Sequence, residues 1–332
     1  MKLSEPSKKF LSVFLRVGLS LLLLWYLFRK MDTASMTALL KKADFHYLYW
    51  AAVIFLLIHL VLFLRWWILI KGLDLKVPLR GVIDYFFIGL FFNLFLPSST
   101  GGDVIKILGI CKFTQHKARV VASVVLDRLC GFIGIVIVAF FAFLFGYRFI
   151  QDLSLLVSIF VLALISTIIM VTLFNERLYS FCCRIFNRVP KIKNSLMDLH
   201  YDIVLLKDNP GAIVGAVLLS CLTQIILALT YFLFAKTLQQ NIPIIYFFIF
   251  TPIICVVSSL PSIGGLGVRD AGAAHLFAKV GVASQVAVSI TLMSFIFMVA
   301  VGLIGGVIYV AQLSPRRIQH YPSPAGVSPK KA

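Results

Sequence analysis

Two short polar interruptions carry most of the side chains in this chain that could do chemistry. The first, Leu96 to Lys106, reads LPSSTGGDVIK and follows Asn93; the second, Leu260 to Asp270, reads LPSIGGLGVRD. Each ends an apolar run at a proline, passes through glycines and arrives at an acidic residue. Pro97 and Pro261 break their helices, because proline has no N–H and clashes with the preceding turn. Ser98, Ser99 and Thr100 offer hydroxyls, and Gly101 and Gly102 let backbone approach a ligand closely. A half-helix that starts after such a break exposes backbone donors and the positive end of its dipole, which suits a phosphate or a carboxylate.

Charged side chains cluster around these breaks. Asp103 has two readings, a ligand-orienting carboxylate or the cap of the short helix VIKILGI. Lys106, one turn on, is placed to meet an anionic headgroup or to neutralise Asp103. In the second break Gly264, Gly265 and Gly267 precede Arg269 and Asp270. Arg269 is the strongest candidate for phosphate, since guanidinium grips phosphate in a bidentate fork; the alternative is an internal ion pair with Asp103, Asp127 or Asp270. Asp127 and Arg128, in SVVLDRLCGF, stand at the head of an apolar span, and ionisable residues inside a membrane face the bundle interior, a partner or a pathway. The alternative is that they mark the interface. Asn93 is positioned to satisfy opened backbone or touch a headgroup. His59, Arg65, Asp84 and Tyr85 read as snorkelling residues near span ends.

The elements that must hold these residues are membrane spans. The chain has 332 residues, of which 61% are hydrophobic and 13% charged. That charged fraction is about half the globular norm of roughly 25%. Crossing a hydrocarbon core takes roughly 20 helical residues, and apolar runs of suitable length occupy residues 10–28, 46–70, 82–96, 129–147, 153–174, 211–235, 242–260 and 284–312. The expected fold is an all-α polytopic membrane protein of about eight transmembrane helices plus two broken or re-entrant segments. A barrel would show strands of about 10 residues with alternating polarity. The first span has basic residues ahead of it and no small-residue cleavage site after it, as in an uncleaved anchor. Residues 1–313 read as one membrane domain, and 314–332 as a basic Pro/Ser-rich disordered tail. Six scattered cysteines read as small core hydrophobes.

Several chemistries are excluded. No phosphate-binding loop ends in Lys-Ser or Lys-Thr, no HExxH occurs, and GGLGVRD follows a transmembrane helix and not a strand. No cofactor, metal or catalytic residue is assigned. The net charge of +18 fits basic cytoplasmic loops beside anionic lipid and not nucleic acid, which needs a soluble basic face.

The basic residues also constrain topology. They gather at the N-terminus, between spans two and three, between spans five and six, and in the tail, and the positive-inside rule places all four regions in the cytoplasm. Simple alternation through eight spans cannot satisfy this. An extra net crossing between Pro97 and about Val120, and another between Pro261 and about Ala283, removes the conflict. The two breaks then form an inverted pair, and broken helices in corresponding halves are a transporter signature.

The pair NLFLPSSTGGDVIKI and LPSIGGLGVRDAG, with LDRLCGF between them, resembles the lysylphosphatidylglycerol synthase transmembrane-region family, also described as flippase-like membrane proteins. The resemblance runs from about residue 10 to 312. It implies a multi-pass protein of a bacterial or archaeal inner membrane that moves phospholipids or polyprenyl-linked lipids between leaflets. The family motifs fall on Asn93, Pro97, Gly101, Gly102 and Asp103, on Asp127 and Arg128, and on Pro261, Gly264, Gly265, Gly267, Arg269 and Asp270. The family takes its name from members with a soluble aminoacyl-transfer domain. This chain ends soon after its last span, so the expectation is a translocase without that activity. The expected substrate is an anionic lipid, with a lipid-synthesis enzyme as a partner. Two other readings stay open: a membrane enzyme using Asp103 or Asp270 as base or metal ligand, and a scaffold subunit.

Overall fold

The computed structural model describes residues 43–95, 101–146, 209–258 and 265–313, together with positions 41, 157, 160 and 164. The expected spans 10–28 and 153–174 and the tail lie outside the described residues. Among the described residues eight helices follow one another: α1 (Phe45–Gly72), α2 (Leu79–Phe95), α3 (Gly101–Ile110), α4 (Lys117–Gly146), α5 (Pro210–Thr237), α6 (Ile244–Ser258), α7 (Val268–Ala278) and α8 (Ser284–Leu313). Four of them, α1, α4, α5 and α8, are long and apolar enough to cross a membrane.

One expected boundary moves. The span placed at 129–147 begins at Lys117, so Asp127 and Arg128 lie well inside a 30-residue helix and not at its head. The first turns carry Lys117 and Arg119, which hide the helix from a hydropathy reading, yet lysine, alanine and arginine are all good helix formers.

The eight helices fall into two equivalent sets. Helices α1 to α4 have 28, 17, 10 and 30 residues, and α5 to α8 have 28, 15, 11 and 30. The turns after α1 and α5 repeat bond for bond. The N–H of Leu75 reaches back to Ile70 O at 3.2 Å, and that of Gln240 to Ala235 O at 2.9 Å. Asp74 (φ 50°) and Gln239 (φ 56°) occupy the same left-handed position, the usual close of a helix by a residue in that region. The sequence shows the match as KGLDLKVP against KTLQQNIP, Lys71 to Pro78 and Lys236 to Pro243, a repeat that the break motifs alone do not reveal.

The equivalent helices α1 and α5 lie side by side and run in opposite directions. Asp44 N donates to Thr237 O at 2.9 Å at one end, and Ile68 lies against Gly215 near the other. Two equivalent elements packed antiparallel along their length place the halves in inverted orientation. Each half builds most of one apolar core, the first around Trp66, Leu69, Phe86, Ile110 and Leu126 with Cys130, the second around Phe234, Phe247, Phe250, Phe277 and Ile290, and Ala51, Ala142 and Ala216 cross between them.

Within each half the two short helices form an antiparallel pair. Gly102 at the start of α3 lies against Gly89 and Asn93 of α2, Gly109 faces Tyr85, and Phe113 beyond α3 faces Gly81 near the start of α2. In the second half Gly265 faces Ser258, and Phe277 packs on Phe247 and Phe250. At about 1.5 Å per residue α3 and α7 are each only about half as long as a hydrocarbon core is thick. After each break, a short helix thus returns along its predecessor.

Candidate anion-binding site among α1, α3 and α4

Five charged side chains meet where α1, α3 and α4 approach one another. Arg65 of α1 donates through Nε to Asp127 Oδ1 at 2.6 Å and through Nη2 to Asp127 Oδ2 at 3.0 Å, a two-pronged pair across α1 and α4. Its Nη1 donates to Ser220 Oγ of α5 at 3.2 Å. The guanidinium fits because Gly131 has no side chain: a Cβ there would lie 3.2 Å from Arg65 Nη1.

The second pair joins α4 to α3. Arg128 Nε donates to Asp103 Oδ2 at 2.7 Å. The Arg128 side chain remains 40% exposed, whereas that of Asp103 is 10% exposed, so this pair connects the buried cluster to its surroundings. The alternating positions of Asp127 and Arg128 send them to different partners, because consecutive helix residues point about 100° apart.

Lys106 completes the cluster. Its Nζ lies 4.0 Å from Asp103 Oδ1, beyond hydrogen-bonding range. It sits 5.0 Å from the centroid of the Trp66 ring and 4.8 Å from that of Phe86, and aromatic faces attract a cation through their quadrupole. Trp66 is held in turn by its Nε1, which donates to Ser123 Oγ at 3.3 Å.

The expected site residues divide clearly. Asp103, Lys106, Asp127 and Arg128 come together. Asn93 serves the backbone: its Oδ1 accepts the Gly102 N–H at 2.7 Å in the first turn of α3. Asp103 lies in that same turn, with its carboxylate on Arg128. Gly102 lets α2 approach α3, because a Cβ there would meet the Gly89 carbonyl and Asn93. Gly101 begins α3 beside it. Pro97, Ser98, Ser99, Thr100, Pro261 and Gly264 lie outside the described residues.

The second break is built separately. Gly265 (φ 79°) and Gly267 (φ 80°) make the turn into α7, a conformation that glycine adopts readily. Asp270 Oδ2 accepts the Gly267 N–H at 2.9 Å. Arg269 donates to Asp270 Oδ1 through Nε at 3.2 Å and Nη2 at 3.1 Å and lies 5.9 Å over the Phe295 ring. The ion-pair alternative for Arg269 is the one realised, with Asp270 as partner.

Sequence reasoning passed over Arg65. His59 donates through Nδ1 to Phe55 O within α1, Asp84 accepts from Gln312, and Tyr85 accepts from Lys112, so these three have structural partners. Arg65 belongs to the cluster, and its partners Asp127 and Ser220 lie 62 and 155 residues along the chain, where no local signal points to them.

The fold and its charged interior define a multi-pass α-helical membrane protein. The family model described as lysylphosphatidylglycerol synthase TM region matches residues 13–306, and the chain belongs to that family. It is 26% identical over 313 residues to UPF0104 membrane protein PH1989 of Pyrococcus horikoshii, covering 86% of this chain and 91% of that protein. No solved structure matches the chain. The membership read from the two break motifs is met.

Proposed function

We propose that this protein moves a phosphate-bearing lipid between leaflets without hydrolysing nucleotide itself. The observation that carries the reading is the inverted pair of halves, each with a broken helix returning on itself, beside a buried cationic cluster. Inverted repeats let one bundle rock against the other, so that a site near the midplane meets each face in turn. Short helices that do not span are tolerated in a membrane where protein covers their backbone ends, and we take α2–α3 and α6–α7 as re-entrant hairpins.

In this reading Lys106 and Arg128 receive the phosphate, Asp103 and Asp127 orient the cations, and the acyl chains stay in lipid. Arg269 and Asp270 stabilise the second hairpin, and Arg269 is a second contact along the path. The basic residues at the α1–α2 and α3–α4 connections, Lys71, Lys76, Arg80, Lys112, Lys117 and Arg119, favour the cytoplasmic side for that face of an inner membrane. Both termini then face the cytoplasm.

The test is movement of labelled lipids across proteoliposome membranes. Wild type should accelerate transfer, and Lys106→Met and Asp103→Asn should reduce it to the protein-free rate while the proteins remain folded. A well-folded Lys106→Met protein that transports at the wild-type rate would remove this site from the path. No transfer of any lipid by folded wild type would favour the enzyme or scaffold readings.

A further inference from the structure

Among the described residues the charges in the cluster do not balance, and the imbalance falls on one group. Arg65 is matched by Asp127, and Arg128 by Asp103, each through a hydrogen bond of 2.7 Å or less. Lys106 is the surplus. Its residue is 7% exposed, its ammonium reaches only the edge of Asp103's range at 4.0 Å, and it makes no hydrogen bond to any described residue. The rings of Trp66 and Phe86 offer it attraction but no lone pairs in their place. A buried ammonium with unused donors is costly unless an anion joins it.

We propose, resting on the translocase reading above, that this site is matched to a lipid phosphodiester carrying a single negative charge and selects against phosphomonoesters. A phosphodiester brings one charge and cancels the surplus. A phosphomonoester carries about −1.5 to −2 at neutral pH, so the occupied site would become net negative, with Asp103 and Asp127 facing the excess. The partly exposed Arg128 is the approach side, and Lys106 is the group whose donors the phosphate oxygen fills. In the second half Arg269 and Asp270 already cancel, so Arg269 serves as a passing contact, and among the described residues this cluster alone holds a surplus cation.

The experiment compares two lipids that differ by one methyl and one charge, phosphatidylmethanol and phosphatidic acid with identical acyl chains. Binding to the full-length protein in detergent is measured at about pH 8, well above the second phosphate pKa of about 6. Phosphatidylmethanol should bind once per chain and about tenfold or more tighter, a difference that corresponds to one unmatched charge. Lys106→Met should weaken it by about tenfold, and Lys106→Arg, which keeps the charge but changes its shape and reach, should weaken it less than Lys106→Met. Asp103→Asn adds one positive charge to the site and should erase or reverse the preference.

Equal binding of the two lipids by wild type would overturn the inference, and that comparison stands whether or not a variant folds. An unchanged preference in folded Asp103→Asn would overturn it as well. The outcomes also separate this inference from the function it rests on. Dimethyl phosphate binding as tightly as phosphatidylmethanol would keep the charge rule but point to a soluble ligand, against lipid transport. Transport of both lipids at equal rates would keep the transport reading and overturn the selectivity.

Discussion

The two halves share a skeleton and differ in charge. Counting from the helix starts, Arg65 of α1 corresponds to Thr230 of α5, Asp127 and Arg128 of α4 to Ser294 and Phe295 of α8, and Lys106 of α3 to Ala273 of α7. Of the five cluster positions, only that of Asp103 and Asp270 remains charged in both. In the first half the partner of this aspartate comes from the long helix α4, as Arg128. In the second it comes from the adjacent residue, Arg269, and the position on α8 is a phenylalanine whose ring receives the Arg269 guanidinium. The scaffold needs the acid at the start of each short helix. It does not need the rest of the cluster, which is why the surplus cation in the first half points to a ligand.

The same comparison explains how closely the halves pack. On α8, Gly302, Gly305 and Gly306 allow α2 to approach so near that a Cβ at Gly305 would meet the Phe87 carbonyl. Counted from the helix start, α4 carries Val138 where α8 carries Gly305, so the glycine contact belongs to the second half's long helix alone. Small residues of this kind are how membrane helices gain contact where water drives no association.

Converting the first half toward the second is the strongest test. Asp127→Leu alone leaves the Arg65 guanidinium buried without its carboxylate and should lower stability by about 3–5 kcal/mol. The double variant Arg65→Thr with Asp127→Ser copies Thr230 and Ser294 and should recover most of that loss. Thermal unfolding in detergent measures both, and a double variant no more stable than Asp127→Leu would mean that the pair specifies the packing itself. A smaller effect is expected at the helix contact. Gly305→Val places a side chain against α2 and should cost about 1–3 kcal/mol through overpacking, read from the same melting curves. Smallest is the hairpin cap: Asn93→Ala removes the acceptor for the Gly102 N–H and should cost about 1 kcal/mol. Hydrogen exchange at the start of α3 should rise in Asn93→Ala while α7, capped through Asp270, is unchanged.

Much of the site was legible because it is local. Asp103 and Lys106 lie one helical turn apart, Asp127 and Arg128 are adjacent, and Arg269 precedes Asp270, so proximity follows from the chain itself. Arg65 was not legible as a site residue. A long basic side chain in an apolar helix can reach toward an interface, and nothing near it in sequence distinguishes that from an internal pair. Its partners, Asp127 and Ser220, belong to helices far along the chain. Gly102 misled in the other direction, since a glycine that admits a ligand and one that admits a neighbouring helix have the same sequence signature.

The sequence by itself determined that this is a helical membrane protein, where its described long helices run apart from the basic first turns of α4, and where its two breaks fall. Those follow from hydrophobic transfer over roughly 20-residue runs and from the backbone chemistry of proline and glycine, both local properties. Only the tertiary structure decided that α3 and α7 fold back on their predecessors, that α1 and α5 oppose each other, and that two arginines are matched while Lys106 is not. Charge balance inside a membrane depends on which side chains the packing brings within a few ångströms, where low dielectric makes each pairing count, and distance along the chain does not determine that.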